Sequence, residues 1–277
     1  MNKIVYIPDG EEENKALSRT THLCIAAHED DIEFMAFAPI AECFQKQDKW
    51  FCGVVTTDGA GSPRNGVYAD YTDGEMKAIR IEEQKKAAYV GGYGAQILLG
   101  YSSNEAKDGN NDSVINDYVE ILKATKPKYV YIHNLADKHE THIATALKAI
   151  KALRQLNADE QPEKVYGCEV WRNLDWINDE EKVYLDCSQY PNLGRALSSV
   201  FDSQISGGKR YDLAAEGRRL ANATFCESHA CDTYTGLNYA MDLTPLIKNK
   251  TLDIADYVCG HIDRFKQSVK SLIKKFN

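Results

Sequence analysis

The apolar residues of this chain fall into short unbroken runs, separated by longer stretches in which apolar and polar positions alternate with a helical period. Short runs rich in β-branched and aromatic side chains read as strands buried on both faces, and the amphipathic stretches between them as helices. Residues 21–27 form the first such strand, 33–47 a helix and 50–57 a second strand. Residues 58–66, Asp-Gly-Ala-Gly-Ser-Pro-Arg-Asn-Gly, carry the Gly and Pro content of a loop. A long helix over 74–90 leads to a short strand at 96–100, a helix at 113–125, a strand at 129–133 and a helix at 142–155. Two further strands, 164–171 and 182–187, either extend the sheet or pair beside it. The remainder reads as helices over 193–205, 211–229 and 252–275, with the segment around 234–245 between the last two.

Strand and helix in alternation, joined by short connections, predict an α/β fold. It is Rossmann-like, a mostly parallel sheet with helices on both faces and a helical C-terminal third. No low-complexity linker or internal repeat divides the chain, so residues 1–277 read as a single domain.

Composition narrows the class of partner. A net charge of −8 argues against a broad phosphate-binding surface, and nucleic acid is not an expected partner. No stretch approaches the length of a membrane span, so no membrane partner is expected either. Residues 1–15 have no apolar core of a signal peptide, and the eight cysteines are scattered, three of them in strands. Both features fit reduced thiols and a cytoplasmic location. Cys226, His229 and Cys231 lie close together but match no zinc-ligand spacing, and are read as packing and loop residues.

The candidate chemistry lies where two strands end. Leu23-Cys24-Ile25-Ala26-Ala27 runs directly into His28-Glu29-Asp30-Asp31, and Tyr129-Val130-Tyr131-Ile132 is followed by Asp137-Lys138-His139-Glu140-Thr141-His142. Helix-start acids alone would explain one or two of the carboxylates, as caps or dipole partners. They leave a histidine at a strand's exit and a second pair three residues apart unexplained. An open α/β sheet binds its ligand outside the carboxyl ends of its strands, where both clusters fall. Histidine and carboxylate together suit Zn²⁺ with an open position for water, and a two-His, one-carboxylate face also suits Fe²⁺. The first strand's exit lacks the Gly-x-Gly-x-x-Gly run of a nucleotide-binding turn, which disfavours a non-catalytic Rossmann-like binding module.

At these residues the chain resembles the LmbE/PIG-L family of zinc-dependent deacetylases. Ala27-His28-Glu29-Asp30-Asp31-Ile32 is similar to the family's Ala-His-Pro-Asp-Asp-Glu, and Ala136 to His142 to its Gly-Asp-x-His-Pro-Asp-His. The Thr57 to Ser62 loop, the Arg80-x-x-Glu83 helix and the Ser203-Gln204 pair also resemble family features, so the likeness runs from about residue 21 to residue 205. The resemblance implies that His28, Asp31 and His142 hold zinc, and that Asp30 is the general base. It further implies that His139 stabilises the oxyanion or protonates the leaving amine, with Asp137 orienting His139. An N-acetylated amino sugar is the implied substrate, and a non-sugar amide such as a thiol conjugate is the alternative. Glu29 and Ile32 depart from the first motif, and Glu29 reads as an outward-facing helix-start residue. Arg64, Arg80 and Trp171 are weak candidates for substrate contact; the plainer reading makes Arg80 a structural partner of Glu83 and places Trp171 in the core. His133 reads as structural. The helical C-terminal third either roofs the pocket or forms a homo-oligomer interface.

Overall fold

The structure, a computed structural model, describes residues 3–277. Its strands are β1 (Ile4–Tyr6), β2 (His22–Ala26), β3 (Phe51–Thr57), β4 (Ala95–Tyr101), β5 (Tyr129–His133), β6 (Lys164–Cys168), β7 (Lys182–Asp186) and β8 (Leu237–Asp242). They form one sheet of eight strands in the order β1-β4-β3-β2-β5-β6-β8-β7. The run from β4 through β3, β2 and β5 to β6 is parallel, and β1, β8 and β7 pair antiparallel at the two sides.

Side-chain alternation along the strands fills two layers. Leu23 and Ile25 of β2, Val54 of β3 and Ile132 of β5 pack on one face against α6 (Ser113–Thr125) and α7 (Glu140–Gln155). Cys24, Ala26 and Val55 point the other way. There they meet α2 (Asp31–Met35), α3 (Phe37–Cys43), α4 (Asp73–Gly91) and α8 (Pro191–Ser199). A strand covered on both faces needs apolar residues at every position, which is why the central runs do not alternate. Because β2 and β5 are adjacent and parallel, their carboxyl ends open side by side.

Several elements differ from the sequence reading for identifiable reasons. The helix expected over 33–47 is two helices that meet at Ala36. Pro39 lacks an N–H and is tolerated only in a first turn, so the second helix restarts at Phe37. The expected helix over 193–205 breaks at Phe201, whose ring is fully buried, and resumes as α9 (Asp202–Ile205). The strand expected over 164–171 stops at Cys168, and α10 (Tyr211–Thr224) stops short of residue 229. Residues 182–187 do extend the sheet, but β8 lies between them and β6, so they form no hairpin with it. Leu-Asn-Tyr-Ala-Met-Asp of β8 contains no β-branched residue, which hid it in the sequence. The structure adds the short α1 (Glu13–Ser18), α5 (Ser103–Lys107) and α11 (Thr244–Lys248), and α12 (Ile254–Phe276) is the last helix.

Candidate metal centre

β2 delivers its polar exit through a tight turn. Asp30 sits at φ 87°, a conformation costly for a residue with a side chain, and its N–H donates to Gln84 Oε1 at 3.2 Å. Asp31, the first residue of α2, folds back so that its Oδ2 accepts the His28 N–H at 2.8 Å. On the neighbouring strand's side, Asn134 Oδ1 accepts the Ala136 N–H and Asp137 Oδ1 the His139 N–H, which shapes the loop before α7. His142, in the first turn of α7, is carried back over the end of β2.

Three donor atoms converge. His28 Nδ1 lies 3.1 Å from Asp31 Oδ2 and 3.2 Å from His142 Nε2, and His142 Nε2 lies 3.3 Å from Asp31 Oδ2. Tetrahedral ligands about 2.0–2.1 Å from a zinc ion are separated by roughly 3.3–3.4 Å, so the donor set and its spacing fit one divalent ion. His28, Asp31 and His142 are the residues that would hold it. Two overlapping groupings also lie close together, His28 with His139 and His142, and Asp31 with His133 and His142. In the latter the Ala27 N–H donates to His133 Nε2 at 2.9 Å, which occupies that ring's lone pair. His133 is fully buried and stacks on His142 with ring centroids 3.9 Å apart. Its place is beneath the metal corner. Among the described residues Cys226, His229 and Cys231 form no such grouping.

Asp137 corrects one expectation. Its Oδ2 lies 3.0 Å from His142 Nδ1, so it orients His142 and touches His139 only at the backbone. A carboxylate on the far nitrogen fixes the tautomer that leaves Nε2 free for a metal. Burial works against a charged His142, yet Asp31 and Asp137 outweigh it and raise the ring to about 9. Burial also opposes the Asp31 carboxylate, but His142 and His133 hold its pKa well below the usual range. Its neighbour behaves oppositely: burial pushes Asp30 well up against the pull of Arg80. His139, whose ring is 4.9 Å from His28 and 4.6 Å from His142, is lowered to about 4 by burial and those two rings.

Beneath the turn lies a buried charge network. Arg80 Nη2 donates to the Glu29 carbonyl and reaches Asp30 Oδ2 at 3.1 Å, while Nη1 reaches Glu83 Oε2 at 3.5 Å. Glu83 in turn accepts the Ser203 N–H and hydroxyl, both at 2.7 Å, which ties α9 to α4. Glu29 does not face outward. It is 1% exposed, with Oε2 3.6 Å from Arg80 Nε, and Gly59 leaves room for it because a Cβ there would lie 2.9 Å from that oxygen. Glu33, not singled out from the sequence, accepts from Tyr93 Oη and Gln84 Nε2 under the same turn.

The cleft above is walled by Phe34, Trp171, Gln204 and Tyr211 together with the loop from Gly59 to Pro63. Trp171 is half-buried on this wall, outside the core positions, and lies parallel to His139 at 6.4 Å. Tyr211 meets it edge-on at 5.8 Å, and the Lys138 and Lys209 ammonium groups stand 5.3 and 5.7 Å from its ring centre. Arg80 also borders the cleft, whereas Arg64 is turned to Ala60 O and Asp73 and does not line it. Phe34 and Tyr211 come from helices distant in sequence, with no local motif to announce them.

Residues 23–153 match a family described as PIG-L, GlcNAc-PI de-N-acetylase. This segment is similar to the PIG-L family domain. The matched segment contains His28, Asp30, Asp31, Asp137, His139 and His142, while Trp171, Gln204 and Tyr211 lie beyond it. Solved structures share the fold. N,N'-diacetylchitobiose deacetylase from Pyrococcus horikoshii has a TM-score of 0.60 at 17% identity, over 90% of this chain and 92% of that one. The 4-carboxy-2-hydroxymuconate hydratase GalB from Pseudomonas putida KT2440 gives 0.61 at 17%, over 81% and 96%. The zinc-inhibited form of teicoplanin deacetylase Orf2 gives 0.57 at 14%, over 80% and 97%. Comparison with curated protein sequences gives no match. A hydratase and deacetylases on one fold mean that the backbone alone does not select the reaction; the side chains at the site must.

Proposed function

We propose that this protein is a metal-dependent deacetylase that hydrolyses the N-acetyl amide of an amino sugar. The observation that carries this reading is the convergence of His28, Asp31 and His142 donor atoms with a separate carboxylate, Asp30, at the adjoining position of the same turn. His28, Asp31 and His142 would hold a divalent ion, Zn²⁺ on this donor set, which would supply an acidified water and polarisation of the acetyl carbonyl. Asp30 is the base that takes a proton from the attacking water, and Arg80 keeps its carboxylate in place. His139 faces the same space and is placed to steady the developing oxyanion or to hand a proton to the departing amine. Asp137 keeps His142 in the required tautomer.

The substrate class rests on the wall. Trp171 and Tyr211 offer aromatic faces at the mouth of the cleft, and the flat apolar face of a sugar ring packs on such surfaces. Since these residues complete a cleft begun by 23–153, the chain acts as one domain. Acetate release from a panel of N-acetylglucosaminides and non-sugar N-acetyl amides tests the reading. Turnover of the sugars, with Trp171→Ala raising KM more than it lowers kcat, is expected. Turnover of the non-sugar amides alone would overturn the substrate class.

A further inference from the structure

The second half of α12 leaves the body of the protein. Its last ties are the buried His261 and the Arg264 Nε contact to Glu181 at 2.6 Å. From Lys266 onward no hydrogen bond or ion pair joins it to another element among the described residues. Yet it carries an apolar stripe at Ile262, Phe265, Val269, Leu272, Ile273 and Phe276. Leu272 is 55%, Ile273 62% and Phe276 80% exposed. At about 100° per residue these six positions share an arc of roughly 100°. Singly exposed apolar residues need no explanation; a continuous stripe marks an interaction surface.

Charge identifies the partner. Residues 262–277 hold Arg264, Lys266, Lys270, Lys274 and Lys275 against one acid, Asp263, in a chain whose net charge is −8. The 3-4 spacing of Ile262, Phe265, Val269, Leu272 and Phe276 would also suit a coiled-coil seam. A second copy on that seam would meet Lys266 and Lys275 at its flanks with no acidic counterpart, so self-pairing is opposed. Among the described residues no helix is long and apolar enough to cross a membrane. A basic amphipathic helix of this kind lies in the plane of an anionic lipid surface, apolar face down and ammonium groups at the headgroups.

We propose that residues 262–276 of α12 dock the protein on anionic lipid bilayers. The test is co-sedimentation of the full chain with phosphatidylcholine vesicles, with or without 30 mol% phosphatidylglycerol. Binding to the anionic vesicles at least tenfold tighter than to neutral ones, and weakened by high salt, is expected. The Leu272→Glu/Phe276→Glu double variant changes only exposed positions, so it should keep the wild-type Tm and lose vesicle binding tenfold or more. Equal partitioning of variant and wild type, or binding indifferent to lipid charge, would overturn the proposal. So would a dimer in light scattering that the double variant dissociates, since that assigns the stripe to a second copy.

Discussion

Asp30 and Asp31 are adjacent carboxylates in opposite surroundings. Asp31 is ringed by His28, His133 and His142 nitrogens, whereas Asp30 faces Arg80 and the cleft. Asp30→Ala should therefore retain the metal, as measured by elemental analysis, and lose about 10²–10⁴-fold in kcat. Asp137→Asn removes the carboxylate from His142 Nδ1 and should weaken metal affinity about 10–100-fold in a chelator competition. A third residue gives a pH signature. Burial raises Glu169 to about 7 although its oxygens accept from Leu174 N–H and Trp176 Nε1. The unfolded chain ionises this group first, so its contribution is full below pH ~4.5 and is lost as pH rises towards 7. Urea unfolding should show stability falling by on the order of 2 kcal/mol across that window, with a shallower fall in Glu169→Gln. An identical fall in both proteins would contradict the assignment.

At the scale of elements, the sequence was most legible where burial on two faces demands unbroken apolar runs. β2, β3 and β5 and the two polar exits were read nearly residue for residue. Where partners come from far along the chain, no local pattern signals them. Glu29 reads as solvated helix-start acid until α4 brings Arg80 over it, and β8 is a strand only because β6 and β7 flank it. Gly53 shows the same dependence. A Cβ at this β3 position would press on the Gln96 side chain and come within 2.9 Å of Ile32 Cδ1. Gln96 contacts Gln84, which holds the Asp30 N–H. Gly53→Ala should cost about 1–3 kcal/mol by chemical denaturation and lower kcat through the displaced turn. A variant with unchanged stability would show that the packing has room to relax.

At the scale of the molecule, the sheet does one thing for the chemistry: it sets two parallel strands side by side so that their exits share a corner. The helix over 252–275 is legible in the sequence, but its apolar stripe is amphipathic and too interrupted to register as a membrane span. Binding that is confined to the folded state must also stabilise it, so metal removal should lower Tm and one equivalent of Zn²⁺ should restore it. The most direct measurement is the initial rate of acetate release from an N-acetylglucosaminide as Zn²⁺ is returned to chelator-treated protein. The rate should rise from baseline to a plateau at one ion per chain, and Asp31→Ala should remain at baseline throughout. A rate independent of added metal, or equal in Asp31→Ala, would contradict a metal-dependent deacetylase at this corner.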